Sequence, residues 1–323
     1  VVRGGDGSAS DAFNPFVPPQ RRVSKAMLTL RPIDDAAHDH HYVDVCGTAR
    51  AYQRFAGPTE DETTEPPEVV EDIVSTGGYV LVVGESGCGK SALVNRCAWW
   101  ARNALVGGLA DRVVLADLRR HALALESASI NTRVGWACGR LVRTLREERA
   151  LVDPAAAELD SGDPDQILPE LDGLLDPGVA LVVLLPDHLD LHREVHVYAS
   201  GMLSPRVLYL AESALLTDAE VRRIEVELED STPPIVLRLR TLTRADVVRF
   251  VDDRLHRHRA AGRYPRVVAD QALTELVHTK SIKTLQRTLL GTFEMLRAER
   301  VNYIESYAVT VDDLNRYTKG NKS

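Results

Sequence analysis

The sequence predicts an α/β protein: a parallel five-stranded sheet flanked by helices, followed by a small all-helical domain. Three observations carry that expectation. Five short apolar segments, each bounded by turn-forming or polar residues, recur between residues 79 and 239; stretches with apolar residues at helical spacing separate them; and after Leu242 only helical patterns remain.

In chain order, residues 1 to about 25 are rich in Gly, Ser, Asp and Pro, with Pro15, Pro18 and Pro19 among them, and read as an extended arm of the kind that packs on a neighbour. Residues 26–33 alternate as a strand does, and 44–56 suit a short helix. An acidic, proline-containing linker with Glu60, Asp61, Glu62, Glu65, Pro66, Pro67, Glu68, Glu71 and Asp72 follows. Strands are expected at 79–83, 112–116, 179–185, 206–211 and 235–239, all short and apolar, as strands buried on both faces are. Leu93, Val94, Cys97, Ala98 and Ala101 repeat at helical spacing over 91–105, and a long helix is expected over 132–149. Thr243-Arg244-Ala245-Asp246 has the form of a capping box and opens a helix whose buried stripe is Val247, Phe250, Val251 and Leu255. Residues 272–278, 282–296 and 311–317 read as further helices. The chain thus divides into an arm and linker (1–67), an α/β core (68–242) and a helical domain (243–323).

With 323 residues the chain can bury a substantial core, and 44% hydrophobic with 27% charged residues is the balance of a soluble globular protein. A net charge of -8 disfavours nonspecific DNA or membrane binding by the chain as a whole, and no apolar run approaches the ~20 residues of a membrane span. Cys46, Cys88, Cys97 and Cys138 form no C-x-x-C pair and read as reduced thiols of a cytoplasmic protein. His38, His40, His41 and Cys46 lack a second cysteine pair at zinc-finger spacing and read as a solvated polar segment. The first residues contain neither an initiator Met nor a signal peptide, so a missing or trimmed natural N-terminus is expected.

Gly84-Glu85-Ser86-Gly87-Cys88-Gly89-Lys90-Ser91 has the spacing G-x-x-x-x-G-K-S of a phosphate-binding loop, with Ala92 continuing into the next helix. The spacing has a mechanism in this setting, between a strand ending at Val83 and a helix beginning at Lys90. Glycines let the loop close with its N–H groups pointing inward, where they and the helix N-terminus bind phosphate oxygens. Lys90 would neutralise the β- and γ-phosphates and Ser91 would ligate Mg2+, which implies ATP or ADP as the ligand. Cys88 reads as a small residue facing the loop interior.

Such a site needs a carboxylate at a neighbouring strand tip to hold the magnesium, and a second acid to orient the attacking water. The apolar run 179–185 leads into Asp187, the expected Mg2+ carboxylate. His188 stands where many ATPases carry Glu; its neutral imidazole is a possible base but a poor substitute for a fixed carboxylate, and Asp190 is a candidate for the missing charge. The strand at 206–211 ends in Glu212 and Ser213, either of which can hold the attacking water beside the γ-phosphate.

Over roughly residues 68–317 these features resemble the AAA+ and STAND superfamily of P-loop ATPases, with Asp187-His188-Leu189-Asp190 similar to the acid-rich ends of origin-recognition, transposition-regulator and signalling STAND members. The stretch Leu239-Arg240-Thr241-Leu242-Thr243-Arg244-Ala245-Asp246 looks like the junction between core and helical lid in such enzymes. The resemblance implies a lid arginine reaching the nucleotide; the matching stretch from Ser281 to Arg287 lacks a clean glycine-x-x-arginine pattern, and Lys283 and Arg287 are the candidates. It also implies a homo-oligomer joined through the nucleotide interface, with Arg222 and Arg223 as candidates for the neighbour-supplied arginine finger.

Three functions are compatible with this reading: a slow, nucleotide-controlled switch or assembly factor with a protein partner; a DNA-binding ATPase of the transposition or replication-initiation type; and a catalytically weak structural ATP binder. The DNA reading rests on Arg238, Arg240, Arg244, Arg249, Arg254, Arg257, Arg259, Arg263 and Arg266, which outnumber Asp246, Asp252 and Asp253 in the lid.

Overall fold

A computed structural model describes residues 12–17, 42–57, 68–106, 109–119, 128–152, 163–188, 191–300 and 303–320. The strand expected at 26–33, the histidines 38, 40 and 41, and Asp190 lie outside the described residues.

Helices α1 (Thr48–Ala56) and α2 (Glu68–Ser75) precede β1 (Gly78–Val83). The core continues through α3 (Lys90–Val106), β2 (Arg112–Asp117), α4 (Ile130–Glu147), the single-turn helices α5 (Pro164–Ile167) and α6 (Leu171–Leu174), β3 (Val179–Leu184), α7 (Leu191–Gly201), β4 (Val207–Ser213), α8 (Asp218–Glu227) and β5 (Ile235–Arg238). The C-terminal region holds α9 (Arg244–Arg257), β6 (Val267–Val268), α10 (Asp270–Val277), α11 (Ile282–Glu299), β7 (Ala308–Val309) and α12 (Val311–Gly320).

The five core strands are all parallel, in the order β2-β3-β4-β1-β5. Alternation along each strand divides the core into two layers. Val80, Val82, Val182, Leu184, Leu208 and Leu210 point to the face covered by α3, while Tyr79, Leu81, Leu181, Val183, Tyr209 and Ala211 point to the face covered by α4, α7 and α8. Because β4 lies between β1 and β3, the C-terminal ends of these three strands converge beside the Gly84–Ser91 turn, which is the edge where open α/β sheets bind ligands.

Two expectations are corrected. The helical domain contains a parallel pair, β6 with β7, of two residues each, too short for any periodicity to reveal. The helix expected from residue 44 starts only at Thr48, because Cys46 and Gly47 turn through the left-handed region at φ 54° and 82°. Helix α1 packs on α3 and β5, so it extends the core rather than serving as a linker.

The junction into the lid forms as the sequence requires. Thr243 caps α9 by accepting the Asp246 N–H at 3.3 Å, and Asp246 returns a bond to the Thr243 N–H at 3.0 Å. Asp246 is 1% exposed and also receives both Arg240 nitrogens, at 2.5 and 2.9 Å, which together hold its carboxyl below the usual range despite burial.

Candidate functional site

The turn from Gly84 to Gly89 is shaped by three glycines of positive φ, at 154°, 81° and 106° for Gly84, Gly87 and Gly89. Among the described residues, the amides of Ser86, Gly87 and Gly89 donate to no backbone acceptor, as in a nest that cradles an anion. Lys90 is 7% exposed, and its Nζ donates to the carbonyls of Gly84 and Glu85 at 2.9 Å each, so the ammonium is held across the mouth of the loop. The cradle, the ammonium and the adjoining hydroxyl of Ser91 suit a polyphosphate, and Ala92 lies in the first turn of α3. Cys88 is buried, and that burial pushes its thiol up in spite of Lys90.

Ser91 donates to Glu212, whose two carboxylate oxygens both lie 2.7 Å from Oγ. A hydroxyl that gives its proton to a carboxylate turns its lone pairs outward, the state in which it can ligate a cation. Glu212 reaches Ser91 because it shares the α3-covered face of β4 with Leu208 and Leu210. Burial raises the Glu212 carboxyl above its ordinary range, the nearby Asp187 adds to the rise, and Ser91, Arg119 and Lys90 oppose it.

Asp187 stands beyond the tip of β3 with solvent access. Packing around its carboxyl raises it as well, against the backbone amides of Ala214 and His188, the charge of Lys90 and a hydrogen bond from Ser213. Ser213 is 1% exposed and its Oγ also accepts the amides of Leu215 and Leu216 at 3.1 and 3.3 Å. Its hydroxyl is therefore engaged in orienting Asp187 and shaping the turn after β4. Asp187 and Ser91 are the described side chains whose chemistry fits Mg2+, with Glu212 behind Ser91.

The other sequence candidates fall at the margins. His188 adjoins Asp187, half-buried, and its carbonyl accepts the Leu191 N–H that begins α7. Lys283 and Arg287 are exposed on α11, whose start lies on the loop itself: Gly87 O accepts the Ile282 and Lys283 amides at 2.9 and 3.4 Å. A Cβ added at Gly87 would stand 3.5 Å from the Lys283 Cβ, which puts Lys283 nearer the loop than Arg287, one turn further along the helix. Arg222 and Arg223 are exposed on α8, apart from the cluster around Lys90.

Sequence reasoning missed two groups of residues. Arg119, just past β2, pairs with Asp117 at 2.9 Å, donates to Asn95 of α3 at 2.9 Å and places its charge near Glu212. The signal was present, since Asp117 is a polar strand end like Asp187. The second group is the segment entering α1: Thr48 Cγ2 lies 3.8 Å from a Cβ built on Gly89, and Cys46 O accepts the Arg240 N–H at 2.9 Å. Nothing in the irregular residues 42–47 announced that placement.

No protein-family model matches the chain, and a comparison with curated proteins found no match. Solved structures with a similar course of chain include the Aeropyrum pernix ORC2 protein in ADPNP-ADP complexes, at 15% identity over 84% of this chain and 72% of that one, TM-score 0.48. Domain III of the Thermotoga maritima replication initiation protein DnaA shares 12% identity over 88% of this chain and 97% of that one, TM-score 0.43. The Drosophila ORC bound to DNA shares 14% over 93% and 71%, TM-score 0.44. At this distance the likeness assigns no residue and no activity. Among the described residues no helix is long and apolar enough to cross a membrane, and all four cysteines are free and buried.

Proposed function

We propose that this chain is an AAA+-like ATPase that binds ATP with Mg2+ at Gly84–Ser91 and uses it as a switch between lid positions, turning it over slowly. The observation that carries the reading is the convergence of Lys90, Ser91, Asp187 and Glu212 at one sheet edge, with the start of α11 bonded to the same loop through Gly87. Mg2+ would supply charge neutralisation at the phosphates, held by Ser91 and Asp187. The lysine ammonium would leave its two loop carbonyls for phosphate oxygens. Glu212 accepts from Ser91 and would take a proton from the attacking water, the part His188 would fill poorly, while Ser213 is hydrogen-bonded to Asp187. ATP alters lid position only to the extent that it binds one position more tightly than the other, and the contact at Gly87 is the route by which loop and lid would be coupled. Arg222 and Arg223 would complete the site of a neighbouring copy in a homo-oligomer.

Steady-state hydrolysis and particle mass, compared for wild type and Glu212→Gln with ATP and Mg2+, test the reading. Turnover is expected to fall by ~100-fold or more, the range for loss of a general base, while ATP affinity stays within a few-fold and the ATP-dependent rise in mass persists. Unchanged turnover would remove Glu212 from the chemistry, and an ATP-independent mass would remove the assembly switch.

A pH dependence follows from the two raised carboxyls. Asp187, the one of the two that would hold Mg2+, takes up its proton at higher pH than exposed acids do, and a protonated carboxyl is a poor cation ligand. Mg2+-dependent ATP affinity is therefore expected to weaken on acidification before the ordinary carboxylate range is reached, while affinity measured in EDTA changes less. For stability the sign is opposite. Folded-state values above the unfolded ones mean that the two acids favour folding at low pH and lose that contribution as pH rises through the folded values. Glu212→Gln should accordingly raise the thermal midpoint of the nucleotide-free protein at neutral pH, a gain bought with activity.

The DNA reading has less support. Arg238, Arg240, Arg244, Arg257 and Arg266 are paired with Glu225, Asp246, Asp270, Asp253 and Glu305, and Arg249 donates to the Asp44 carbonyl. Arg254 packs over Phe250, which leaves Arg259 and Arg263 as the exposed remainder. The groove along α9 mixes Arg244, Arg249 and His256 with Asp252 and Asp253, unlike a surface that tracks phosphates.

A further inference from the structure

On the face of the sheet opposite α3, the apolar layer under α4 and α7 is interrupted by a cluster of polar groups. Tyr79 of β1 and Tyr209 of β4 stand opposite each other in the sheet. Tyr198 of α7 packs on both, its ring centroid 6.2 Å from that of Tyr79 and 5.0 Å from that of Tyr209. None of the three is more than 2% exposed. Beside them Arg133 of α4 and Glu194 of α7, 3% and 2% exposed, form an ion pair across the two helices, with Nε 2.9 Å from Oε2. Arg133 also donates through Nη1 to Ala128 O.

The three phenol oxygens and Arg133 Nη2 are buried with no hydrogen-bond partner among the described residues. A buried hydroxyl or guanidinium N–H left without a bond costs more than a made bond returns, and such groups are rare even singly. Four of them around one ion pair point to a ligand, and the walls define its chemistry. Burial holds the phenols above their ordinary range, and the charge of Glu194 adds to the rise at Tyr79 and Tyr198, so each stays a neutral hydroxyl that both donates and accepts. The same carboxylate opposes an anion at these hydroxyls, while the Arg133 guanidinium beside it opposes a cation. A small neutral dipole meets both conditions.

We propose that ordered water occupies this seam between α4, α7 and the sheet, bridging the hydroxyls of Tyr79, Tyr198 and Tyr209 to one another and to the Arg133–Glu194 pair. Water donates and accepts as these groups require, and a bridging water is nearly as favourable as a direct hydrogen bond. The seam is then a built hydration site within the core, and it stands independently of what binds at Gly84–Ser91.

Replacing tyrosine by phenylalanine keeps the ring and removes only the oxygen, so the sign of the effect separates a wet seam from a dry one. In a dry seam the change removes an unmade bond and stabilises the protein; in a hydrated seam it takes a partner from the water and destabilises it. In the full chain, Tyr198→Phe and Tyr209→Phe are each expected to lower the thermal midpoint by about 2 °C or more. The double variant should fall by less than the sum, because the two hydroxyls share water. A high-resolution crystal structure of the wild type is expected to show ordered water within hydrogen-bond distance of at least two of the three hydroxyls. An unchanged or higher midpoint in both single variants overturns the proposal, as does a seam without water in that crystal structure.

Discussion

Lys90→Ala is expected to weaken ATP binding by ~100-fold or more while leaving the protein folded. Two charge-assisted hydrogen bonds from Nζ, each contributing ~1.5–3 kcal/mol, set that scale. In the nucleotide-free protein the same ammonium bonds, among the described residues, to Gly84 O and Glu85 O, which water can satisfy at the mouth of the loop, so the loss in stability should be small beside the loss in affinity. Titration calorimetry with ATP and Mg2+ measures the first and thermal unfolding the second. An affinity within threefold of wild type would show that Lys90 is a structural clamp and that phosphate is held elsewhere.

The second large effect is expected at Gly87. A Cβ there would stand 2.6 Å from Ser281 Cβ and 2.8 Å from Ser281 Oγ, at a φ of 81° that side chains rarely adopt. The left-handed conformation costs ~1–2 kcal/mol and overpacking ~1–3 kcal/mol, so Gly87→Ala is expected to part the lid from the loop. Hydrogen exchange reads this locally: the Ile282 amide, now bonded to Gly87 O, should exchange at least about tenfold faster, with ATP affinity falling in step. Adding Ser281→Gly removes the colliding atoms, and since a glycine cap costs only a few tenths of a kcal/mol, the double variant should recover protection. Equal exchange at Ile282 in wild type and Gly87→Ala would show that loop and lid are not coupled through this contact.

Much of the core was legible because its signals are local. Gly84–Ser91 carries its chemistry in one turn, the five strands are short and apolar, and Thr243 with Asp246 marks the lid by a capping pattern contained in four residues. Which of Glu212 and Ser213 faces Ser91 was not legible along the chain, yet that orientation follows from the pleat. Once α3 is known to cover the face of Leu208 and Leu210, Glu212 must point toward Ser91 and Ser213 away from it. What the sequence withheld was the strand order. Without β4 between β1 and β3, the proximity of Arg119 to Glu212 has no cause visible along the chain. Lys283 was chosen by resemblance alone; its place beside Gly87 depends on a backbone bond that no side-chain pattern encodes.

Residues 12–17, whose Phe16 is fully buried against Phe250 and Phe293 of the helical domain, lie far along the chain from the residues that cover them, and that separation sets a timetable. Residues 12–17 leave the ribosome long before residues 250–303 exist, and at ~5–20 residues per second the interval is on the order of tens of seconds. Throughout it Phe13 and Phe16 have no pocket of their own chain to enter. The nascent protein therefore carries two aromatic side chains ahead of the residues of its own chain that cover them.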